Sequence, residues 1–398
     1  MSRNQYDSLA SMASTLTSCS SDASVQFYKE RLKTSMAPIQ ESQIPLQDLV
    51  HVAEKIINET FAPDSRSTYR IKKGSDADEI SVRLDQVMVA MLACVEECGG
   101  EKGKRYVASA IVACSQEEDV VGALEALVKA GRGHSNQPND EPSEAATPSV
   151  NETTSYLLDR RESFTDDVLA RDEYTCVVTG YQHYAGPNIK EDVPVANVVV
   201  AHILRRAVGE FNANHESKSF KSAVTTFDIL VNFTHLPVKT LEELHDQLDD
   251  PSNGMALEMN AHAAFDDFLW CLKRTETEHV YDLKTLHPHA PLLKKPENYQ
   301  VSFKDHSNQF PLDNAHTKYR SVDLPDPRYI AIHSAIAEIL HMSGAGNFFD
   351  DLLDDYRDDE DNVPAVRSWS ELEALMGNLL LRESIIDGFQ PANRMESW

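Results

Sequence analysis

Between Val198 and Leu269 the hydrophobic pattern changes character twice, and this constrains the chain more than any other stretch. Val198-Val199-Val200-Ala201-His202-Ile203-Leu204 is an apolar run of strand character that carries one histidine. Asp249-Asp250-Pro251-Ser252-Asn253-Gly254 is made of turn formers and leads into a short apolar run, Met255-Ala256-Leu257. Asn260-Ala261-His262-Ala263-Ala264-Phe265-Asp266-Asp267-Phe268-Leu269 then opens as a helix, with Asn260 as its candidate N-cap. Each piece alone is ordinary. A single histidine in an apolar strand is more often a hydrogen-bonded core residue than a base, and Asn-Gly before a strand is a routine turn. Strand, turn plus strand, and helix, bearing His, Asn and His in that order, is more specific than its parts.

The rest of the chain divides around this stretch. Its 398 residues suffice for two or three domains, each able to bury a core. Residues 1–25 are rich in Ser, Thr and Ala and read as disordered. Residues 26–132 carry helical periodicity, as in Leu46–Ile57 and in Ile80–Leu92, the latter ended by Gly99-Gly100. Shorter helices follow around Tyr106–Cys114 and Val120–Ala130. Residues 133–156 have almost no large apolar side chain and read as a flexible linker. A second domain occupies 157–290, and a mostly helical C-terminal extension runs over 291–398. Within that extension a helix is expected over Tyr329–Met342, then an acidic helix over Phe348–Asp361, then an amphipathic helix over Ser370–Leu381. The acidic segment lacks the alternate-position spacing and glycine turn of a calcium loop, so it reads as a solvated helix face.

Other features exclude whole classes. No apolar run approaches the roughly 18–20 residues of a membrane helix, and Met1–Ser21 lacks the apolar core of a secretory signal. The expectation is an intracellular protein, cytoplasmic or nuclear, with no membrane partner. The six cysteines are scattered and none forms a Cys-x-x-Cys pair, so neither a disulfide framework nor a zinc ribbon is indicated. The N-terminal helical module carries no chemical motif, and a protein partner is its default assignment.

The second domain opens with Arg171-Asp172-Glu173-Tyr174-Thr175-Cys176-Val177-Val178-Thr179-Gly180. Together with Ala201-His202-Ile203, Asn253-Gly254 and His262-x-x-Phe265-Asp266, this resembles the HNH endonuclease family. It is most similar to the branch with Ala-His-Ile and His-x-x-Phe-Asp boxes that is common among fungal proteins. The resemblance spans about residues 160–285 and implies an α+β fold, a ββα-metal (HNH) domain beside the helical module. It implies His202 as general base, Asn253 as the amide that fixes the loop or strand presenting it, and His262 as a metal ligand. Where other members carry a zinc-binding Cys-x-x-Cys, this chain has Cys176-x-x-Thr179, so that zinc is not expected. Where many members carry an acidic residue or a second His before the base, this chain has Ala201.

The chemistry fits phosphodiester hydrolysis. A neutral imidazole at a strand edge can take a proton from water near neutral pH. Asp266 lies four residues after His262, on the same helix face, so both can meet one ion. Mg²⁺ favours the carboxylate, whereas Mn²⁺, Ni²⁺ or Zn²⁺ accept the imidazole more easily, so the divalent metal is left open. Arg205 and Arg206, just past His202, are candidate phosphate contacts. The expected activity is metal-dependent cleavage of DNA, with RNA left open.

Charge argues the other way. The chain is formally −27, and residues 160–284 hold 12 Lys and Arg against 21 Asp and Glu. A field of that sign opposes a polyanion. The rival expectation is therefore a catalytically inactive HNH-fold scaffold acting through protein contacts.

Overall fold

The computed structural model describes residues 24, 26–72, 79–130, 163–204, 228–237, 247–288, 290–310 and 321–346. The expected disordered N-terminus, the expected linker at 133–156 and the expected helices at Phe348–Asp361 and Ser370–Leu381 lie outside the described residues, Ser24 excepted. In chain order the elements begin with a wide turn at Tyr28–Leu32, then α1 (Lys33–Gln40) and α2 (Leu46–Ile56). An antiparallel pair, β1 (Thr68–Lys72) and β2 (Glu79–Arg83), leads into α3 (Leu84–Cys114) and α4 (Val120–Ala130). Then come α5 (residues 163–171), β3 (Gln182–His183), β4 (Val195–Ala196), β5 (Val198–His202) and α6 (residues 228–234). The chain continues through β6 (Gly254–Glu258), α7 (Met259–Asp266), β7 (Trp270–Arg274), β8 (Val280–Thr285), β9 (Gln300–Ser302) and α8 (Pro327–Ser343). Helices with several small sheets make an α+β fold.

One helix expectation is corrected. Ile80–Arg83 belongs to β2 rather than to the following helix, with Ile80 paired to Ile71 and Val82 to Tyr69. Ile80 and Val82 alternate with Ser81 and Arg83, which satisfies a strand period as well as a helical one, and the partner strand decides between them. The double glycine does end the first helix: α3 is two helices that meet at Gly100 (φ 58°, ψ −159°), a conformation that glycine reaches without a Cβ clash, and the second runs on to Cys114.

The second half of α3 is shaped by a helix laid across it. A Cβ at Gly99 would stand 1.9 Å from the carbonyl oxygen of Phe233, and one at Gly103 would stand 2.3 Å from the same atom. Here glycine serves close approach of two backbones. α6, which lies between His202 and Asn253 in sequence, is thereby seated on the N-terminal helices. Polar contacts hold it there: Asp228 accepts from the Tyr28 hydroxyl at 2.8 Å and from Lys33 Nζ at 2.7 Å, and the Tyr28 and Tyr106 hydroxyls meet at 2.7 Å. Burial and these contacts push the Tyr28 phenol far up, keeping it neutral.

α8 joins the two halves. Most of its middle, Tyr329 to Ala337, is buried, so the helix is covered on more than one side. Tyr329, Ile330 and Ile332 enter the core built on β5, β6, α7 and β7, while Ala337 enters the core of α1–α4. Asp326 caps its start by accepting from the Arg328 N–H, and Gly344 (φ 69°) ends it. Between the halves lies a charge cluster: Lys273 contacts Glu97 and, at 2.7 Å, Glu338, and Lys284 reaches Glu338 at 2.5 Å. Burial raises the Glu97 carboxyl against its lysine partner, whereas at Glu338 two lysine hydrogen bonds outweigh burial and hold it low. No helix of the described residues is long and apolar enough to cross a membrane.

Gly99→Ala tests the seating of α6. The new methyl meets backbone, which cannot swing aside, so we expect a loss of about 1–3 kcal/mol in urea unfolding. An unchanged midpoint would show that α6 is not held against α3.

Candidate active site

The site is assembled on the β5–β6 pair. The strands run antiparallel with Val198 opposite Glu258 and His202 opposite Gly254. α5 packs across the end that carries His202. A Cβ at Gly254 would lie 2.8 Å from both Phe164 Cζ and Val168 Cγ2 of that helix. Gly254 itself is extended (φ −127°, ψ 155°), so glycine is needed there for room, not for turn geometry. The Phe164 ring continues over His202, stacked at 4.5 Å with 17° between the planes.

Arg171, at the end of α5, is fully buried with Asp172 beside it. Its guanidinium has five N–H donors and all find acceptors. Nε and one Nη2 hydrogen go to the two Asp172 oxygens at 2.8 and 2.9 Å. The others go to the carbonyls of Pro251 at 2.7 Å, Asp323 at 2.9 Å and Gly254 at 2.7 Å. Asp172 also accepts from the Ala256 N–H at 2.8 Å. One side-chain pair thus fixes the turn before β6, the strand itself and the segment leading to α8. The Ser252 carbonyl, accepting from Asp326 N–H at 2.8 Å, adds a further tie to that segment.

Asn253 is fully buried and uses both ends of its amide. Its Oδ1 accepts from Leu204 N–H at 2.7 Å, and its Nδ2 donates to the carbonyls of Leu204 at 2.8 Å and Leu248 at 2.9 Å. With Ile203 N–H donating to Asn253 O at 2.8 Å, the chain leaving His202 is bound to the turn before β6. His202 sits at the end of β5 with 27% of its side chain exposed, and its Nε2 lies 3.1 Å from Oδ1 of Asp249, whose side chain is only 6% exposed.

α7 starts one residue before the expected helix opening, and its cap is Glu258 rather than Asn260. The Glu258 carboxylate accepts from Asn260 N–H at 2.9 Å and Ala261 N–H at 2.8 Å. A buried acidic side chain at β6's end competes better for those amides than Asn260, which lies inside the helix. Trp270 Nε1 donates to Ala261 O at 3.1 Å and His333 Nε2 to Phe265 O at 3.2 Å. The Phe265 face of α7 is thus packed, its ring stacked 3.6 Å from His333. His262 and Asp266 remain partly exposed, with Nε2 and Oδ2 3.3 Å apart.

That separation suits a divalent ion. Two ligands about 2.1 Å from one metal stand roughly 3.0–3.4 Å apart for octahedral to tetrahedral angles. An imidazole and a carboxylate are donors that Mn²⁺, Ni²⁺ and Zn²⁺ accept together. Among the described residues no group of three or more His, Cys, Asp or Glu side chains is placed to hold a metal, so the protein offers a two-donor, open set. Arg205 and Arg206 lie outside the described residues.

Cys176 is buried in a tight turn rather than in a strand. Thr179 N–H reaches its sulfur at 3.4 Å, Gly180 N–H its carbonyl at 2.9 Å, and Gly180 takes φ 72°. Val177 N–H donates to Ala256 O at 3.0 Å, tying the turn to β6. The described cysteines, Cys94, Cys98, Cys114, Cys176 and Cys271, are all free thiols. Burial pushes Cys94 up to about 11 and Cys98 up to about 12, so these behave as packing residues.

Residue patterns alone passed over Asp249, Phe164 and the work of Arg171. Asp249-Asp250-Pro251 gives no sign of which aspartate meets the histidine, and Phe164 lies far from the boxes in sequence. The adjacent opposite charges of Arg171-Asp172 were visible, but their burial was not.

The comparisons bear on this geometry directly. Residues 176–273 match the HNH_2 family model, described as HNH endonuclease, and this span includes β5, β6 and α7. No curated protein and no solved structure matches the chain.

Arg171→Lys should cost about 3–5 kcal/mol, because three ammonium donors cannot satisfy three carbonyls and the buried carboxylate at once. Asn253→Ala should cost on the order of 3 kcal/mol through the orphaned Leu204 and Leu248 groups. Urea unfolding of each variant checks both figures.

Proposed function

We propose that this chain is a metal-dependent endonuclease of the HNH type that hydrolyses phosphodiester bonds in DNA, or in RNA. The observation that carries the reading is the presentation of His202. A partly exposed imidazole stands at a strand end whose position Asn253 fixes through three buried hydrogen bonds. We read β5, β6 and α7 as a ββα-metal unit, with domain limits of 26–132, 157–290 and 291–398.

In this reading His202 takes the proton from the attacking water as its oxygen bonds to phosphorus and the bond to the leaving oxygen breaks. Asn253 holds the loop that keeps the ring in place. His262 and Asp266 hold a divalent ion, which when bound supplies charge stabilisation at the phosphate. Arg205 and Arg206 contact phosphate. The HNH_2 match and the His262–Asp266 separation support the proposal.

The scaffold reading is favoured by one observation, the excess of 21 acidic over 12 basic residues across 160–284. Plasmid and single-strand cleavage with Mg²⁺, Mn²⁺, Ni²⁺ or Zn²⁺ separates the two. We expect cleavage by the native chain and a loss of at least about 10²-fold in His202→Ala and His262→Ala, with circular dichroism unchanged. No cleavage with any of these metals would leave the scaffold reading standing.

A further inference from the structure

His202 is met by a carboxylate to which the HNH resemblance assigns no role. We propose that Asp249 is the positioning residue of the general base, accepting a hydrogen bond from His202 Nε2 and thereby setting the neutral ring's lone pair on Nδ1. The inference rests on the nuclease reading and deepens it, since it names the nitrogen that receives the proton.

The geometry is that of a preorganised pair. Asp249 Oδ1 lies 3.1 Å from Nε2, and its side chain is far less exposed than the imidazole it meets. Such a hydrogen bond is stronger away from bulk water than in it. The backbone around Asp249 is held from both sides. Tyr329, on α8, donates its hydroxyl to Gln247 Oε1 at 2.9 Å, and Asn253 Nδ2 holds the Leu248 carbonyl at 2.9 Å. Asp250 N–H donates to Gln247 O at 3.2 Å, closing the turn. Asp250 has a different task, since its Oδ1 accepts from Ser252 N–H at 2.9 Å and caps the Pro251–Asn253 turn.

The ring is also steered from its flat side. From α5 it faces the uncharged Phe164 ring, and across the sheet it faces Gly254. Stacking sets the ring plane, and Asp249 selects which of the two flipped orientations about Cβ–Cγ the ring takes. The charged groups on the chain beyond are Arg205 and Arg206, three and four residues along. In the reaction the water proton moves to Nδ1 while Nε2 keeps its own. The imidazolium so formed is countered by the Asp249 carboxylate; the leaving oxygen takes a proton from solvent as it departs, and the imidazolium then returns its own to solvent.

A carboxylate beside an imidazole favours the charged ring and raises its pKa, so removing it lowers that pKa. The base works when neutral, so activity should persist to lower pH in the variant even as its maximal rate falls. The test uses the full chain in native, Asp249→Asn and Asp249→Ala forms, with His202→Ala to assign the ring signals. Nitrogen-15 NMR of the metal-free protein reads tautomer and titration, and plasmid cleavage reads rate.

We expect the native ring to carry its proton on Nε2, and both variants to titrate about one pH unit lower. Cleavage should slow by roughly 10²-fold at unchanged KM, with the acid limb of the rate profile moved down by the same unit. Asp249→Ala supplies a second carboxylate-free ring should the amide variant fold poorly. A native chain that cleaves, with variants matching it in titration and rate, overturns the role of Asp249 alone. A native chain that cleaves nothing overturns the nuclease reading and this role together, whatever the ring titration shows.

Discussion

The buried Arg171–Asp172 pair is the interaction on which the rest of the site depends. Removing a guanidinium from water is costly, and the cost is offset only when every donor finds a partner. Here all five do, and three of the acceptors are main-chain carbonyls of Pro251, Gly254 and Asp323. The pair therefore sets main chain rather than merely filling a core. It holds the turn that bears Asn253, and Asn253 in turn holds the chain leaving His202. Side chains that carry no chemistry fix the place of those proposed to carry it.

The helical N-terminal residues belong to this logic through α6 and α8. The segment between His202 and Asn253 seats α6 on the glycine face of α3, and α8 contributes to two cores at once. Tyr329 of α8 reaches Gln247, and His333 of the same helix stacks on Phe265 of α7. The interface is charged as well as apolar, with Lys273 and Lys284 meeting Glu97 and Glu338. A chain so acidic leaves these lysines with carboxylates rather than with an anionic ligand.

Much of the fold was legible from the residues. The apolar run at Val198, the turn at Pro251 and the helix ending at Gly344 each carry a local signal strong enough to survive packing. The misreadings have physical causes. Ile80 and Val82 fit two periods, and the partner strand chose one. Asn260 is a good cap, but Glu258, buried at the end of β6, reaches the same amides. Gly254 resembles a turn glycine, yet its backbone is ordinary and its missing Cβ makes room for Phe164.

What the sequence by itself determined is the order of elements, the presence of His202, Asn253, His262 and Asp266, and the helical spacing that puts the last two on one face. These follow from rules that act over a few residues. Only the tertiary structure decided that Asp249 rather than Asp250 meets His202, that Phe164 covers its ring, and that Arg171 is buried. Each depends on segments far apart in the chain, and a hydrogen bond or a buried charge is decided by which distant groups arrive beside it.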